Sequence, residues 1–98
     1  MLTELIPEGR HSEVTVTAPK GNIGHTFCAA GGIETAIAAK SITEQISPPI
    51  RNLENILREG EKLHFSRKYP ESQVIRHALK TTFAFGGINV ALILSRVE

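Results

Sequence analysis

The chain has 98 residues, of which 41% are hydrophobic and 21% are charged, and its formal net charge is +1. This length accommodates one domain and no second one, and the balanced charge argues against nucleic-acid binding, which needs a clustered cationic surface. The single cysteine excludes an internal disulfide, and no apolar run approaches the ~20 residues that insert into and span a bilayer.

The first seven residues predict no secretory signal peptide. They lack both the basic region and the apolar region that such a signal needs. Together with the composition, this predicts an intracellular protein.

The first predicted element is a strand over residues 13–18, where β-branched side chains alternate. Pro19 ends it. Residues 20–25 predict a turn, because two glycines and an asparagine adopt backbone angles that other residues avoid.

A helix is predicted from Thr26, as its cap, to about Gln45. Ile33, Ile37 and Ile42 form one stripe at helical spacing. Most of the remaining positions up to residue 39 are Ala or Gly, which is typical of a buried helix packed closely against other backbones.

The rest of the chain predicts loops and short strands. Residues 47–50 contain two prolines and end the helix, residues 51–61 form a polar connector with at most one helical turn, and residues 63–65 form a short strand. Residues 69–72 predict a second loop.

A hairpin is predicted at the end of the sequence, with strands at residues 78–83 and 88–95 and glycines at the turn. The continuous apolar run of residues 90–94 predicts that the last strand is covered on both faces.

His25 is the first candidate for chemistry. It follows a glycine turn at the start of a helix, whose partial positive charge favours a neutral ring that donates a hydrogen bond. The alternative is a histidine that only caps or packs. Lys20, across the same turn, is a candidate cationic neighbour, and its alternative is a solvated surface charge.

Glu34 is the one acid between His25 and Glu44. In a buried helix an unpaired carboxylate would cost several kcal/mol, so Lys20 is its expected partner. The alternative is a helix with one wet edge on which Glu34 lies.

Cys28 lies three residues after His25, and a Cys–His hydrolase is a formal hypothesis. A cysteine among Phe27, Ala29 and Ala30 is more often a small buried hydrophobe. Lys20 precedes the glycines of the turn, whereas the lysine of a phosphate loop follows its glycines, so the turn does not fit that motif. The histidines show no metal-ligand spacing with Cys28. We therefore expect no metal and no cofactor.

Residues 20–34 resemble the Lys-x-x-x-Gly-His-x-x-x-Ala-Ala-Gly-x-x-Glu stretch of β-ketoacyl-acyl carrier protein synthases. Residues 83–89 resemble the Asn-Ser-Phe-Gly-Phe-Gly-Gly-Thr-Asn segment near their C-terminus. Residues 48–49 and 52–55 match their Pro-Pro and Asn-Leu-x-Asn loop. The resemblance covers about residues 14–97. The sequence Asn-Ile-Gly-His-Thr, at residues 22–26, also occurs in polyketide synthase condensing domains.

The resemblance implies an α/β thiolase-like fold and an acyltransferase of fatty acid biosynthesis. Such enzymes condense malonyl-acyl carrier protein with an acyl thioester by decarboxylative Claisen chemistry, and they form homodimers. The histidine matching His25 stabilises the enolate, the lysine matching Lys20 orders the network around it, and the acid matching Glu34 supports both.

The same resemblance implies a gate and an oxyanion loop at the hairpin. The phenylalanine matching Phe85 gates the acyl pocket, and its backbone N–H helps to form the oxyanion hole. The gate and loop comprise Phe83, Phe85, Gly86 and Gly87.

Departures from the family pattern limit what the chain does alone. The nucleophilic cysteine and the first catalytic histidine of the family belong to segments upstream of these motifs, and Cys28 matches neither. Thr81, Ala84 and Ile88 replace an Asn, a Gly and a Thr near the gate. We therefore expect residues 1–98 to be an incomplete C-terminal half that is inactive without its missing N-terminal part.

In the thiolase fold the C-terminal sheet has the strand order 3-2-1-4-5, and this chain matches strands 3, 4 and 5. We therefore expect the strand at 14–17 to lack its neighbours, which leaves unpaired edges between it and the hairpin. The Ala-rich helix is expected to lose one covering layer.

The alternative functions are a non-catalytic module that binds the carrier protein or forms a dimer surface, and a remnant of a polyketide synthase condensing domain. Carrier proteins are acidic and often bind basic patches. The candidate basic residues are Arg51, Arg58, Lys62, Arg67 and Lys68. The cytoplasm is the expected compartment, or the mitochondrion in a eukaryote.

Overall fold

A computed structural model describes residues 2–97 of the chain as a mixed α/β structure. Met1 and Glu98 lie outside the described residues. They are the two ends of the expected 1–98 unit, and Met1 also begins the segment for which no signal peptide is predicted. The helices and strands are α1 Leu2–Leu5, β1 Thr15–Val16, α2 Lys20–Ile23, α3 Ala30–Glu44, β2 Ile46–Ser47, β3 His64–Phe65, β4 Glu71–Ser72, β5 His77–Phe83 and β6 Asn89–Ser95, with 3₁₀ turns at His11–Glu13, Phe27–Ala29 and Arg58–Gly60.

The strands pair two by two. β1 pairs with β3 in parallel, β2 with β4 antiparallel, and β5 with β6 antiparallel. The predicted strand at residues 63–65 is confirmed as β3. The strand predicted at 14–17 was expected to lack its neighbours, but β3 pairs with it. As expected, no strand within residues 2–97 joins it to the hairpin, which forms a separate sheet. The loop prediction for residues 69–72 was partly wrong, because β4 pairs with the residues that follow α3.

The C-terminal hairpin is confirmed, with His77 opposite Ser95 at its open end and Phe83 opposite Asn89 near its tip. At the tip Gly86 and Gly87 have φ angles of 87° and 79°, a region that glycine adopts without steric cost. The predicted burial of β6 on both faces was wrong. Ile93 is 67% exposed, because α3 packs against only one face of the hairpin.

Helix α3 begins at Ala30, four residues later than predicted. A 3₁₀ turn occupies Phe27–Ala29, and the hydroxyl of Thr26 makes no capping bond and is buried without a hydrogen-bond partner. The helix ends where predicted, because Gln45 adopts the left-handed conformation.

The expected burial of α3 was also wrong. Only Ala30 and Ile42 of this helix are buried, and Ile33 is exposed. The hairpin and β2 cover part of the helix, and Gly32, Ala36 and Ala39 on it are exposed. The buried apolar residues among those described are Ala30, Ile42, Ile50 and Leu63.

The segment that follows Pro48 supports the glycine turn. The side-chain amide of Asn22 donates a hydrogen bond to the carbonyl of Pro49 at 2.6 Å. A Cβ on Gly21 would lie 2.9 Å from the carbonyl oxygen of Arg51, so only glycine allows this approach. The predicted turn is therefore a single helical turn, α2, that packs on the proline loop.

The turn ends at Gly24, whose φ and ψ angles are 76° and −178°. We expect Gly24→Ala to destabilise the protein by about 1–3 kcal/mol, because this backbone region is essentially restricted to glycine. Gly32→Ala is the matched control. It lies within α3 with nothing within 4 Å of an added Cβ, and we expect it to stabilise by up to about 1 kcal/mol. Urea denaturation measures the free energy of unfolding of both variants. Equal effects would contradict the claim that the backbone at Gly24 requires glycine.

Candidate functional site

His25 is exposed and lies between the glycine turn and the start of α3. Its Nδ1 accepts a hydrogen bond from the backbone N–H of Phe27 at 2.9 Å, and the two rings lie 5.2 Å apart. Phe27 has a φ angle of 51°, an uncommon conformation for a bulky residue. A neutral ring whose Nδ1 accepts a bond carries its proton on Nε2. This geometry therefore leaves Nε2–H as a hydrogen-bond donor.

Glu34 lies at the centre of an ion cluster. Its Oε1 pairs with the ammonium of Lys20, and its Oε2 lies 3.3 Å from Nζ of Lys80. The side chains of Glu34 and Lys80 are only 10% and 11% exposed, whereas that of Lys20 is 45% exposed. The predicted pairing of Lys20 with Glu34 is confirmed.

Lys80 is the member of this cluster that the sequence reasoning missed. It lies on β5 between Ala78 and Thr82, at the positions of that strand that alternate inward. A lysine at an inward position of a strand requires a carboxylate partner, and that was the available signal. The sequence predicts a hairpin strand over residues 78–83, but it does not show which face of that strand packs on the helix.

The pKa of Glu34 reflects opposing effects. Burial raises it, but hydrogen bonds from Lys20 and Lys80 and the charges of both lysines lower it, and the net pKa lies below the ordinary value of 4.5. The carboxylate is therefore ionised at neutral pH and is held by two cations.

This shift predicts how stability depends on pH. A carboxyl whose folded-state pKa lies below its unfolded value stabilises the fold fully above about pH 5, and that contribution is lost as the pH falls through the folded-state pKa. We expect the free energy of unfolding to decrease over this acidic range and Glu34→Gln to reduce the slope. Urea denaturation across the range measures it.

The matched control for this slope is Glu44→Gln. The exposed Glu44 pairs with Lys40 at 2.7 Å, and its pKa is also lowered, but solvent screens an exposed pair. Its slope change should be the smaller one, and a larger change in Glu44→Gln than in Glu34→Gln would contradict the role given to the cluster.

The predicted gate residues lie at or beside the hairpin tip. Phe85 is fully exposed, and Phe83 is 61% exposed. No hydrogen bond or ion pair joins His25 to Phe83, Phe85, Gly86 or Gly87 within residues 2–97. Two cavities of about 430 and 390 Å³ lie elsewhere, one between the end of α3 and the end of β6 and the other beside His11, and neither is lined by His25 or Phe85.

Cys28 is exposed, so the expectation of a buried cysteine was wrong. It lies in the 3₁₀ turn before α3, which has no covering layer at this point. Nδ1 of His25 accepts its hydrogen bond from the Phe27 N–H. Within the described range no hydrogen bond joins His25 to Cys28. The geometry thus contains no Cys–His dyad.

The five basic residues between positions 51 and 68 are all exposed. Arg67 donates hydrogen bonds to the backbone carbonyls of Leu53 and Glu54. The four others make no ion pair with an acid in the part of the chain that the structure describes. This leaves cationic groups facing solvent on the connector between α3 and β4.

Over residues 2–97 the structure brings together no group of three or more His, Cys, Asp or Glu side chains that could hold a metal ion. In the same range, none of the helices has both the length and the apolar character needed to cross a membrane.

Comparison with known proteins identifies relatives over most of the chain. Residues 1–54 match the family model of the C-terminal domain of β-ketoacyl synthases. A 3-oxoacyl-[acyl-carrier-protein] synthase homolog of Saccharomyces cerevisiae is 35% identical over 85% of this chain and 20% of its own length. The 3-oxoacyl-[acyl-carrier-protein] synthase 2 of Coxiella burnetii is 38% identical over 91% of the chain and 22% of its own length.

A third relative, the 3-oxoacyl-[acyl-carrier-protein] synthase 2 of Rhizobium meliloti, is 36% identical over 87% of the chain and 20% of its own length. The chain thus spans about a fifth of the length of the curated relatives it matches. The family model covers more than half of the chain, and the relatives extend the match toward the C-terminal hairpin. The chain belongs to the β-ketoacyl synthase family and carries part of its C-terminal domain.

Proposed function

We propose that residues 1–98 are the C-terminal portion of a 3-oxoacyl-[acyl-carrier-protein] synthase with a thiolase-like fold. The complete enzyme condenses malonyl-acyl carrier protein with an acyl thioester in fatty acid biosynthesis. The names of the relatives, all 3-oxoacyl-[acyl-carrier-protein] synthases or a homolog of one, support this reaction class. We place the protein where the carrier protein is found, in the cytoplasm or, in a eukaryote, the mitochondrion.

One observation carries the catalytic part of the proposal, namely the bond from the Phe27 N–H to Nδ1 of His25. It leaves Nε2–H free to donate to the carbonyl oxygen of the malonyl thioester. When carbon dioxide leaves, negative charge develops on that oxygen. A donor already in place binds the enolate more strongly than the ground-state carbonyl and so lowers the barrier.

The other site residues support this step in the proposal. Lys20, five residues before His25, fixes the turn through Glu34. Phe83 and Phe85 gate the acyl chain, and the backbone N–H of Phe85 contributes to an oxyanion hole. Gly86 and Gly87 give the gate its turn, because both adopt positive φ angles.

The nucleophile comes from elsewhere in this proposal. Cys28 is the one cysteine of the chain, and it forms no dyad with His25 in the described geometry. An N-terminal part bearing the nucleophilic cysteine and the first catalytic histidine is therefore required, as are the homodimer of the parent family and the carrier protein. The 98-residue chain alone is inactive in condensation.

The test is a chimera. The 90 matched residues of the Coxiella burnetii relative are replaced by the corresponding stretch of this chain, and product is measured with malonyl- and acyl-carrier protein. We expect product from the chimera and none from the 98-residue chain alone. Product from the chain alone, or a folded chimera without activity, would contradict the proposal.

A binding module is the second candidate, and the exposed basic residues of the connector favour it. Arg51, Arg58, Lys62 and Lys68 face solvent without an acidic partner in the described range. Titration of the chain with carrier protein at low and raised salt tests this. Salt-sensitive binding by the chain alone would support the module, and no binding at low salt would remove it. A remnant of a polyketide synthase would prefer a polyketide carrier protein in the same titration.

A further inference from the structure

One carboxylate joins the two segments that bear the proposed functional residues. Oε1 of Glu34 pairs with Lys20 on α2, and Oε2 lies 3.3 Å from Nζ of Lys80 on β5. Lys20 precedes His25 by five residues, and Lys80 precedes Phe85 by five. The cluster therefore connects the glycine turn to the hairpin through the first half of α3.

The ammonium of Lys80 has few alternative partners. It is almost buried, and its other recorded bond is to the hydroxyl of Thr82 on the same strand. It lies over the first turn of α3, where a Cβ on Gly31 would be 3.8 Å from Nζ. The positive end of the helix dipole disfavours a cation there. Glu34 is the one acid that pairs with it in the described part of the chain, and it offsets both costs.

We infer that Lys80 is a positioning residue that, through Glu34, fixes the hairpin tip bearing Phe85 relative to the turn bearing His25. The roles of Phe85 and His25 rest on the proposed function, whereas the mechanical connection does not. Lys20 alone would hold Glu34 to the turn without a charge contact to the hairpin. Lys80 closes the connection, because the two lysines bind different oxygens of one rigid carboxylate.

The connection is tested by a distance measurement between the two segments. Spin labels are attached at Cys28, which is exposed beside the turn, and at Ile88→Cys on the hairpin tip. Pulsed electron spin resonance then gives the distribution of distances between the labels. We expect a narrow distribution with Lys80 and with Lys80→Arg, which keeps the charge, and a broad one in Lys80→Met. Lys40→Met, which removes the exposed lysine beside Glu44, is the control and should stay narrow.

A second measurement reads the charge contact directly. The pKa of the Glu34 carboxyl, followed by carbon NMR, should rise in Lys80→Met because one of its two cations is gone. It should not change in Lys40→Met. If Lys80→Met does not fold, the two spin labels are placed in Glu34→Gln instead, because this variant keeps the side-chain shape and removes the charge. The distance distribution should then be broad.

The inference is overturned if the distance distribution stays narrow in Lys80→Met, if it broadens equally in Lys80→Arg or Lys40→Met, or if the pKa of Glu34 does not rise. Neither measurement depends on activity. An inactive chimera with a narrow, Lys80-dependent distribution would refute the proposed function and keep the connection. An active chimera with a broad distribution would do the reverse.

Discussion

His25→Ala is expected to reduce the rate of condensation by the chimera about 10²- to 10³-fold, the usual effect of removing one donor to a developing oxyanion. The loss should appear in the turnover number more than in the KM for malonyl-carrier protein, because the bond to Nε2–H strengthens as the enolate forms. Steady-state kinetics with malonyl- and acyl-carrier protein measures both constants.

His77→Ala is the matched control for this variant. His77 is also an exposed histidine, and its Nδ1 lies 2.9 Å from the hydroxyl of Ser95 at the open end of the hairpin, away from the tip. Its removal should leave the turnover number within about twofold, as expected for a surface substitution. Comparable losses in the two variants would show that His25 has no special role in the reaction.

Glu34→Leu is expected to lower the free energy of unfolding by about 3 kcal/mol, since removing one partner leaves a nearly buried ammonium without compensation. Lys80 bears most of this cost because it is 11% exposed. Lys20 reaches water and bears less of it. Urea denaturation of the 98-residue chain at neutral pH measures the loss.

The double variant Glu34→Leu/Lys80→Met separates the charge effect from the change in packing. With the uncompensated ammonium also removed, most of the lost stability should return, because a buried ion pair replaced by apolar groups is often close to neutral. Glu44→Ala, at an exposed pair on the same helix, should change stability far less. A double variant as unstable as Glu34→Leu would contradict the account of the cluster.

The local structure of the site could be predicted from the sequence because it depends on neighbours in the chain. Gly24 and His25 mark the end of a turn by residue type, and Gly86 and Gly87 mark the hairpin tip. The pairing of Lys20 with Glu34 followed from the cost of a carboxylate in a helix of small residues, and the structure has that pair.

The long-range arrangement could not be predicted in the same way. Whether α3 is buried depends on which layers cover it, and the apolar pattern of Ile33 and Ile37 describes only what the helix can bury. The same holds for Ile93 on β6, which is exposed although the strand is apolar throughout. The role of Lys80 could not be predicted because its partner, Glu34, is 46 positions away in the sequence. The alternation of a strand indicates which face a residue lies on, but it does not identify the partner.

The central claim is that the chain presents His25 as a neutral ring with its proton on Nε2. Long-range proton–nitrogen correlation NMR of the 98-residue chain, with the imidazole of His25 assigned through His25→Ala, reads the tautomer directly. We predict the pattern of a protonated Nε2 and a hydrogen-bonded, unprotonated Nδ1. A ring with its proton on Nδ1 could not accept the Phe27 N–H, and that result would contradict the account.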